Sequence, residues 1–233
     1  MADRDSLREV DLARAEVFRT NAKIALLQLA AAQLDLSEKR DQYEREHAQN
    51  FYHHVFVMSG EICGSTVSEA MGTLGVWSRL DGDTPKPIEI KFHSPGGGVL
   101  AGMALFDFIR ELEQHGHHIT TTVMGYAASM AGILIQAGTH RVMGRESYLL
   151  IHEIAGIALG KVGEIEDTAE FMRKMQDRVI DIFLMRAEGK ISRTNFIKHW
   201  KRKDWWLSSQ ECLKWGFVDE VRGWGNHARK VLF

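Results

Sequence analysis

The sequence predicts an α/β fold with mostly parallel strands, preceded by a long N-terminal helix. Two observations carry this expectation. From Phe51 onward, short β-prone runs alternate with amphipathic stretches, and strand–helix alternation is how parallel strands joined by helical crossovers read in sequence. Before Phe51 the chain has no proline and no glycine and is rich in Ala, Leu, Gln, Glu and Arg, a composition that favours a continuous helix. The change of texture divides the chain into a helical extension, residues 1–50, and a folded domain, residues 51–233.

In the extension, Val10, Val17, Ile24 and Ala31 recur at heptad spacing, with Ala13, Leu27 and Leu34 in most of the alternate slots. A coiled coil and a helix packed on its own body or on a neighbouring subunit both fit this seam. In the domain, residues 55–58 form the first strand, and residues 65–80 a helix with Ser65 as its cap. A turn through Asp81-Gly82-Asp83-Thr84-Pro85 leads to strand 88–92, which alternates apolar and charged residues. The turn Pro95-Gly96-Gly97-Gly98 opens a helix to about Gln114. Strand 119–124, a helix opening near Ala128 and strand 148–151 follow. A long helix over residues 162–187 carries Val162, Ile165, Ala169, Met172, Val179 and Phe183 on one side. Ser208 with Glu211 three positions on is a capping-box signature before Gly216.

Composition excludes several classes. A chain of 233 residues buries a sizeable core. Its net charge of −2 supplies no electrostatic footprint for nucleic acid. The two cysteines, Cys63 and Cys212, fit no zinc spacing and read as buried thiols of a reducing compartment rather than a disulfide. The charged start, MADRDSLREVD, has no signal-peptide core, and no apolar run is long enough for a membrane span. The expectation is a cytosolic protein without a membrane segment.

Two segments place a tight turn just before a helix: Ser94-Pro95-Gly96-Gly97-Gly98 and Gly125-Tyr126-Ala127-Ala128-Ser129-Met130. Helix starts leave N–H groups unpaired and favour anions, and glycine lets another group approach the backbone closely. Small neighbours keep the Ser129 hydroxyl reachable. On spacing alone such a turn is a weak signal, and a plain tight turn or a phosphate site fits it as well as a catalytic anion site does.

The stretches HSPGGGVLAG, GYAASMAGILIQAG, LLIHE and KDWWLSSQECLKWGFVDE, in that order, resemble the ClpP-type serine peptidases over residues 58–221. The resemblance implies a ClpP/crotonase-like spiral of β-β-α units with a handle strand and helix. It implies a catalytic triad of Ser129 as nucleophile, His152 as general base and Asp204 as the carboxylate that orients the histidine. Asp167, Asp181 and Asp219 are the alternatives for the third member. It further implies that Gly97 and Met130 supply the oxyanion hole. Gly96, Gly98 and the handle residues Gly156, Ile157, Ala158 and Leu159 would hold an extended substrate by strand addition. No cofactor and no metal are implied; His115, His117 and His118 fall in a turn that the family leaves as surface loop. The order Ser…His…Asp and the lack of a G-x-S-x-G elbow separate the chain from α/β-hydrolases. The implied assembly is a homo-oligomer of heptameric rings stacked as a tetradecamer, acting on polypeptide substrates.

Three features depart from the family. The helical extension replaces a short processed segment. Glu89 and Lys91 occupy outward positions where aromatics usually receive the docking loops of an AAA+ unfoldase, which weighs against that partner. Arg202-Lys203 replaces an acidic–basic pair. Divergent members, including viral ones that process capsid proteins without an ATPase, share such losses. A crotonase-type acyl-CoA enzyme and an inactive structural ring subunit are the competing readings.

Overall fold

The structure is a computed structural model that describes residues 16–39 and 53–223. The chain divides into two units, Met1–Gln49 and Asn50–Phe233. In the first, residues 16–39 form helix α1, with Lys39 Nζ 2.9 Å from Asp35 Oδ2 one turn back. Its seam residues Val17, Ile24, Leu27 and Leu34 are exposed. The seam positions Val10 and Ala13, and the rest of the expected fifty-residue helix, lie outside the described residues.

The second unit runs β1 (Val55–Ile62), α2 (Gly64–Asp81), β2 (Ile88–Gly97), α3 (Val99–Gln114), β3 (Ile119–Ala128), α4 (Met130–Ile135), β4 (His140–Gly144), β5 (Tyr148–Ile151), α5 (Val162–Ala187), α6 (Arg193–Trp200), β6 (Trp205–Ser208), α7 (Ser209–Trp215) and β7 (Glu220–Arg222). The strands build one mixed sheet of order β1-β2-β3-β4-β7, with β5 paired to β3 and β6 paired to β5. Every pairing is parallel except β5–β6. The expected α/β class with mostly parallel strands is therefore the one that forms.

β3 has two partners in succession. Thr120–Val123 pair with β4 and Tyr126–Ala128 pair with β5. The change of partner falls at Gly125, whose φ of +74° is closed to most side chains, and where a Cβ would come within 2.7 Å of the His93 ring. Ser147 Oγ accepts the Gly125 N–H at 2.9 Å and fixes the bend.

The core follows the sequence period. In β2, Ile88, Ile90 and Phe92 are buried while Glu89 and Lys91 alternate outward. α2 buries Val67, Ala70, Leu74 and Trp77 on one face. Its cap is Cys63 rather than Ser65, because the Cys63 backbone N–H donates to Thr66 Oγ1 at 3.0 Å. Hydrogen bonds, first from the Ser65 hydroxyl, bring the Cys63 thiol down to about 7, whereas burial pushes the Cys212 thiol up. Both cysteines are free, but only Cys212 is buried as expected; Cys63, at the start of α2, is partly exposed. The capping box at Ser208 forms as expected, with Ser208 N–H donating to Glu211 Oε2 at 2.9 Å.

Three of the tryptophans pack in the C-terminal part. The Trp200 and Trp205 rings lie 5.4 Å and 5.6 Å from Phe196, which also meets Phe183 and Phe217, and Trp215 lies 6.5 Å from Trp205. Of the four tryptophans among the described residues of this region, Trp206 alone is exposed. This cluster is tied to the sheet by Arg141, whose buried guanidinium donates to Asp219, to Gln136 Oε1 at 2.9 Å and to the Gly216 carbonyl at 2.8 Å. Burial raises the Asp219 carboxyl, but the Arg141 hydrogen bonds outweigh it and hold the group below its ordinary value. A depressed native pKa contributes stability above the unfolded value and loses it as pH falls through the native one. Asp219→Ala would leave a buried guanidinium unpaired and should cost about 3 kcal/mol in urea unfolding at neutral pH. The deficit against wild type should shrink in acid.

Candidate active site

The end of β2 is built flat. Ser94 is buried; its hydroxyl donates to the Gly60 carbonyl at 2.6 Å and accepts the Gly96 N–H at 3.1 Å. Gly98 N–H donates to the Ile62 carbonyl at 2.8 Å. A Cβ on Gly97 would lie 2.1 Å from that same carbonyl oxygen, and Gly97 has φ +152°. No residue but glycine fits at this strand end; Gly96 and Gly97 belong to β2, and Gly98 caps the start of α3.

The end of β3 meets it. Ser129 stands between Ala128, the last strand residue, and Met130, the first residue of α4. Its φ of +54° and ψ of −123° put a non-glycine residue in a sparsely populated conformation, the kind of backbone strain that persists only where surrounding contacts impose it. Those contacts are visible. Ser129 N–H donates to the Leu150 carbonyl at 2.9 Å, and every residue of α4 is buried. A Cβ on Gly96 would lie 2.8 Å from Ser129 Cβ and 3.0 Å from the Met130 backbone nitrogen. The two turns singled out in the sequence therefore touch.

His152 follows β5 directly. It shares with Ser129 a cavity of about 220 Å³ whose walls include Gly97, Met130, Ile133, Ile154 and Val179. Ser129 and His152 are the sole polar side chains among the lining residues. Four of the expected site residues, Ser129, His152, Gly97 and Met130, thus come together. No hydrogen bond joins Ser129 to His152 among the described residues. His152 Nδ1 lies 2.6 Å from the Glu153 carbonyl; a carbonyl only accepts, so Nδ1 carries the proton and Nε2 is the basic nitrogen.

Asp204 is not among the lining residues and is exposed. Its backbone is nonetheless well placed. β5 and β6 pair antiparallel, ending at Ile151↔Trp205, so His152 and Asp204 are the residues next to that last pair on the two chains. Two of the alternative aspartates are engaged elsewhere, Asp181 with Arg193 at 2.6 Å and Asp219 with Arg141.

The handle residues stand apart from the cavity. Residues 152–159 form no strand in the single chain, since a strand needs a paired neighbour and none is present for them. Ile157 and Leu159 are 86% and 88% exposed. Gly156 packs against α5, where a Cβ would come within 2.6 Å of Met172 Cε. Ile154 and Ala155 line the cavity although the sequence did not single them out; their place directly after His152 was the available signal. His117 is buried rather than on a surface loop, with ring nitrogens 2.8 Å from the Lys86 carbonyl and 3.0 Å from Ser78 Oγ. Among the described residues no group of His, Cys, Asp or Glu side chains is arranged to hold a metal ion, and no helix is long and apolar enough to cross a membrane.

The family model for Clp protease matches residues 43–223. The chain belongs to the Clp protease family. The resemblance read from the four motifs is borne out. Among known proteins, the chain is similar to an ATP-dependent Clp protease proteolytic subunit of Bacteroides thetaiotaomicron, 34% identical over 143 residues, which are 60% of this chain and 61% of that one. A proteolytic subunit of Dehalococcoides mccartyi is 29% identical over 163 residues, 68% of this chain and 78% of the relative. Proteolytic subunit 1 of Protochlamydia amoebophila is 32% identical over 182 residues, 76% of this chain and 83% of the relative. The match thus spans about three fifths of the Bacteroides protein and more of the others.

The contact between the two turns generates a prediction. Gly96→Ala would drive a methyl group to 2.6 Å from the Ala128 carbonyl at a φ of +94°, displacing Ser129 relative to its neighbours. Hydrolysis of a small reporter peptide should fall about 100-fold, the usual cost of misplacing a reacting group by about 1 Å.

Proposed function

We propose that this protein is a serine endopeptidase that hydrolyses unfolded or extended polypeptides within a closed homo-oligomer. The observation that carries this reading is the cavity in which Ser129 and His152 are the sole polar side chains, with Ser129 held on a strained strand-to-helix turn. Ser129 attacks the peptide carbonyl while His152 Nε2 takes its proton and later returns it to the leaving amine. The backbone N–H groups of Gly97 and Met130 receive the oxyanion, each contributing roughly 3 kcal/mol. Asp204 supplies the negative charge behind the imidazolium. Water then releases the acyl group.

Enclosure suits an unselective site, and the exposed apolar surface supports it. Ile157, Leu159 and Val162 at the handle, with Phe171 further along α5, form a surface fit for contact between rings. Heptameric rings stacked in pairs are the assembly this family reading favours, in a cytosolic setting. The surface of β2 and β3 argues against docking of an aliphatic unfoldase loop. Glu89 accepts from Thr122 Oγ1 at 2.7 Å and from Arg222 at 3.1 Å, with Lys91 at 3.5 Å, so this strip is an ion-paired network and not an apolar pocket. An ATPase-independent peptidase is the form of the proposal this favours.

Labelling by a fluorophosphonate separates the peptidase from an acyl-CoA enzyme or an idle ring subunit, because only the peptidase should label, and only at Ser129. Ser129→Ala and His152→Ala should each lower kcat by about 10⁶ with folding intact, and Asp204→Asn by about 10⁴. Wild-type protein that neither labels nor cleaves would overturn the reading; near-normal turnover in Asp204→Asn would remove Asp204 from it. Deleting residues 1–48 tests the extension separately. Small-peptide cleavage should persist while particle mass, read by light scattering, changes.

A further inference from the structure

His152 and Asp204 each lie one residue beyond Ile151↔Trp205, the last pair of the β5–β6 ladder, yet Asp204 is exposed and the His152 Nδ1 proton goes to the Glu153 carbonyl. Glu153 contacts both sides of the gap. Its backbone carbonyl lies 2.6 Å from His152 Nδ1. Its carboxylate accepts the Arg202 backbone N–H at 2.8 Å, and its other oxygen lies 3.4 Å from Gln176 Nε2 on α5. One residue therefore occupies the histidine nitrogen that a triad carboxylate would take, and also grips the turn that carries that carboxylate.

The turn itself is under strain. Arg202 has φ +57°, a left-handed conformation disfavoured for a residue with a side chain and kept only where a partner imposes it. The charge-assisted hydrogen bond from its N–H to Glu153 is that partner. Between Arg202 and the first β6 residue, Trp205, only Lys203 and Asp204 intervene, so the direction of Asp204 is set by how this turn is held.

We propose that Glu153 is a positioning residue that holds the catalytic pair apart: its carboxylate clamps the 201–204 turn in a strained form that points Asp204 outward, and its carbonyl satisfies His152 in the meantime. Release of the clamp lets the turn relax and brings the Asp204 carboxylate to His152 Nδ1. The inference rests on Ser129, His152 and Asp204 acting as proposed above.

The test compares fluorophosphonate labelling rates and peptide-hydrolysis kinetics of the full-length protein and variants. Glu153→Ala should raise the labelling rate and kcat about tenfold while leaving KM nearly unchanged, because the substrate cavity is untouched. The gain should vanish in Glu153→Ala/Asp204→Asn, since it depends on Asp204 reaching His152; a merely structural role for Glu153 would give no such dependence. Glu153→Gln keeps one acceptor for the Arg202 N–H without the charge and should fall between wild type and Glu153→Ala. Labelling of Glu153→Ala no faster than wild type, at unchanged melting temperature and particle mass, would overturn the inference while wild-type labelling keeps the peptidase reading intact. If Glu153→Ala changes assembly, Glu153→Gln decides, and a rate no faster than wild type overturns the inference. Wild-type protein that does not label at all would overturn both.

Discussion

A Cβ on Gly96 would sit 2.6 Å from the Ala128 carbonyl and 2.8 Å from Ser129 Cβ, so the ends of β2 and β3 can meet only where the chain has no side chain to separate them. The same constraint repeats one residue on, where Gly97 lies against the Ile62 carbonyl at the end of β1. Three parallel strands thus end at one level, and the helices that follow β2 and β3 start there. The site inherits its position from this arrangement. The Ser129 backbone and the candidate oxyanion donors are features of strand ends, held by main-chain contacts.

The second half of the site depends on the bend in β3. Had β3 kept β4 as its partner throughout, β5 would have no edge to join, and His152 would not come beside Ser129. The Gly125 bend frees the last three residues of β3 to pair with β5, which delivers the Leu150 carbonyl to the Ser129 N–H and carries His152 just past it. β5 in turn pairs with β6 and brings in the segment before Trp205. The chain of dependence runs from one glycine to the register of two four-residue strands.

Much of this was legible in sequence, and the failures have physical causes. β1, β2, β3 and β5 and the long helices were readable because each carries a run or a periodic face of apolar residues. β4, β6 and β7 were not, since short strands such as Trp205–Ser208 and Glu220–Arg222 take their conformation from their neighbours in the sheet. The glycine run read as a turn proved to be strand end, because backbone contact with Ile62, invisible in one dimension, decides it. Ser129, His152, Gly97 and Met130 were all named from motifs and lie together. The handle residues Ile157 and Leu159 carry no strand geometry here, which follows from strand addition itself: an extended segment without a partner has no ladder to define it.

Asp204 shows where motif and structure part. A neutral carbonyl on Nδ1 selects the same tautomer of His152 that a carboxylate would select, leaving Nε2 ready to accept the serine proton. What the carbonyl lacks is charge. In the mechanism proposed above, the proton's move to Nε2 makes the ring an imidazolium in a cavity walled by Ile133, Ile154 and Val179, and a dipole offsets that charge far less than an anion does. The two arrangements therefore resemble one another in the ground state and differ in the transition state. A site held by Glu153 would keep its nucleophile and base prepared yet turn over slowly, and exchanging one acceptor for the other would accelerate it without rebuilding the substrate cavity. Under the peptidase reading proposed above, control applied at the third residue leaves the binding surface unchanged and acts only on the rate.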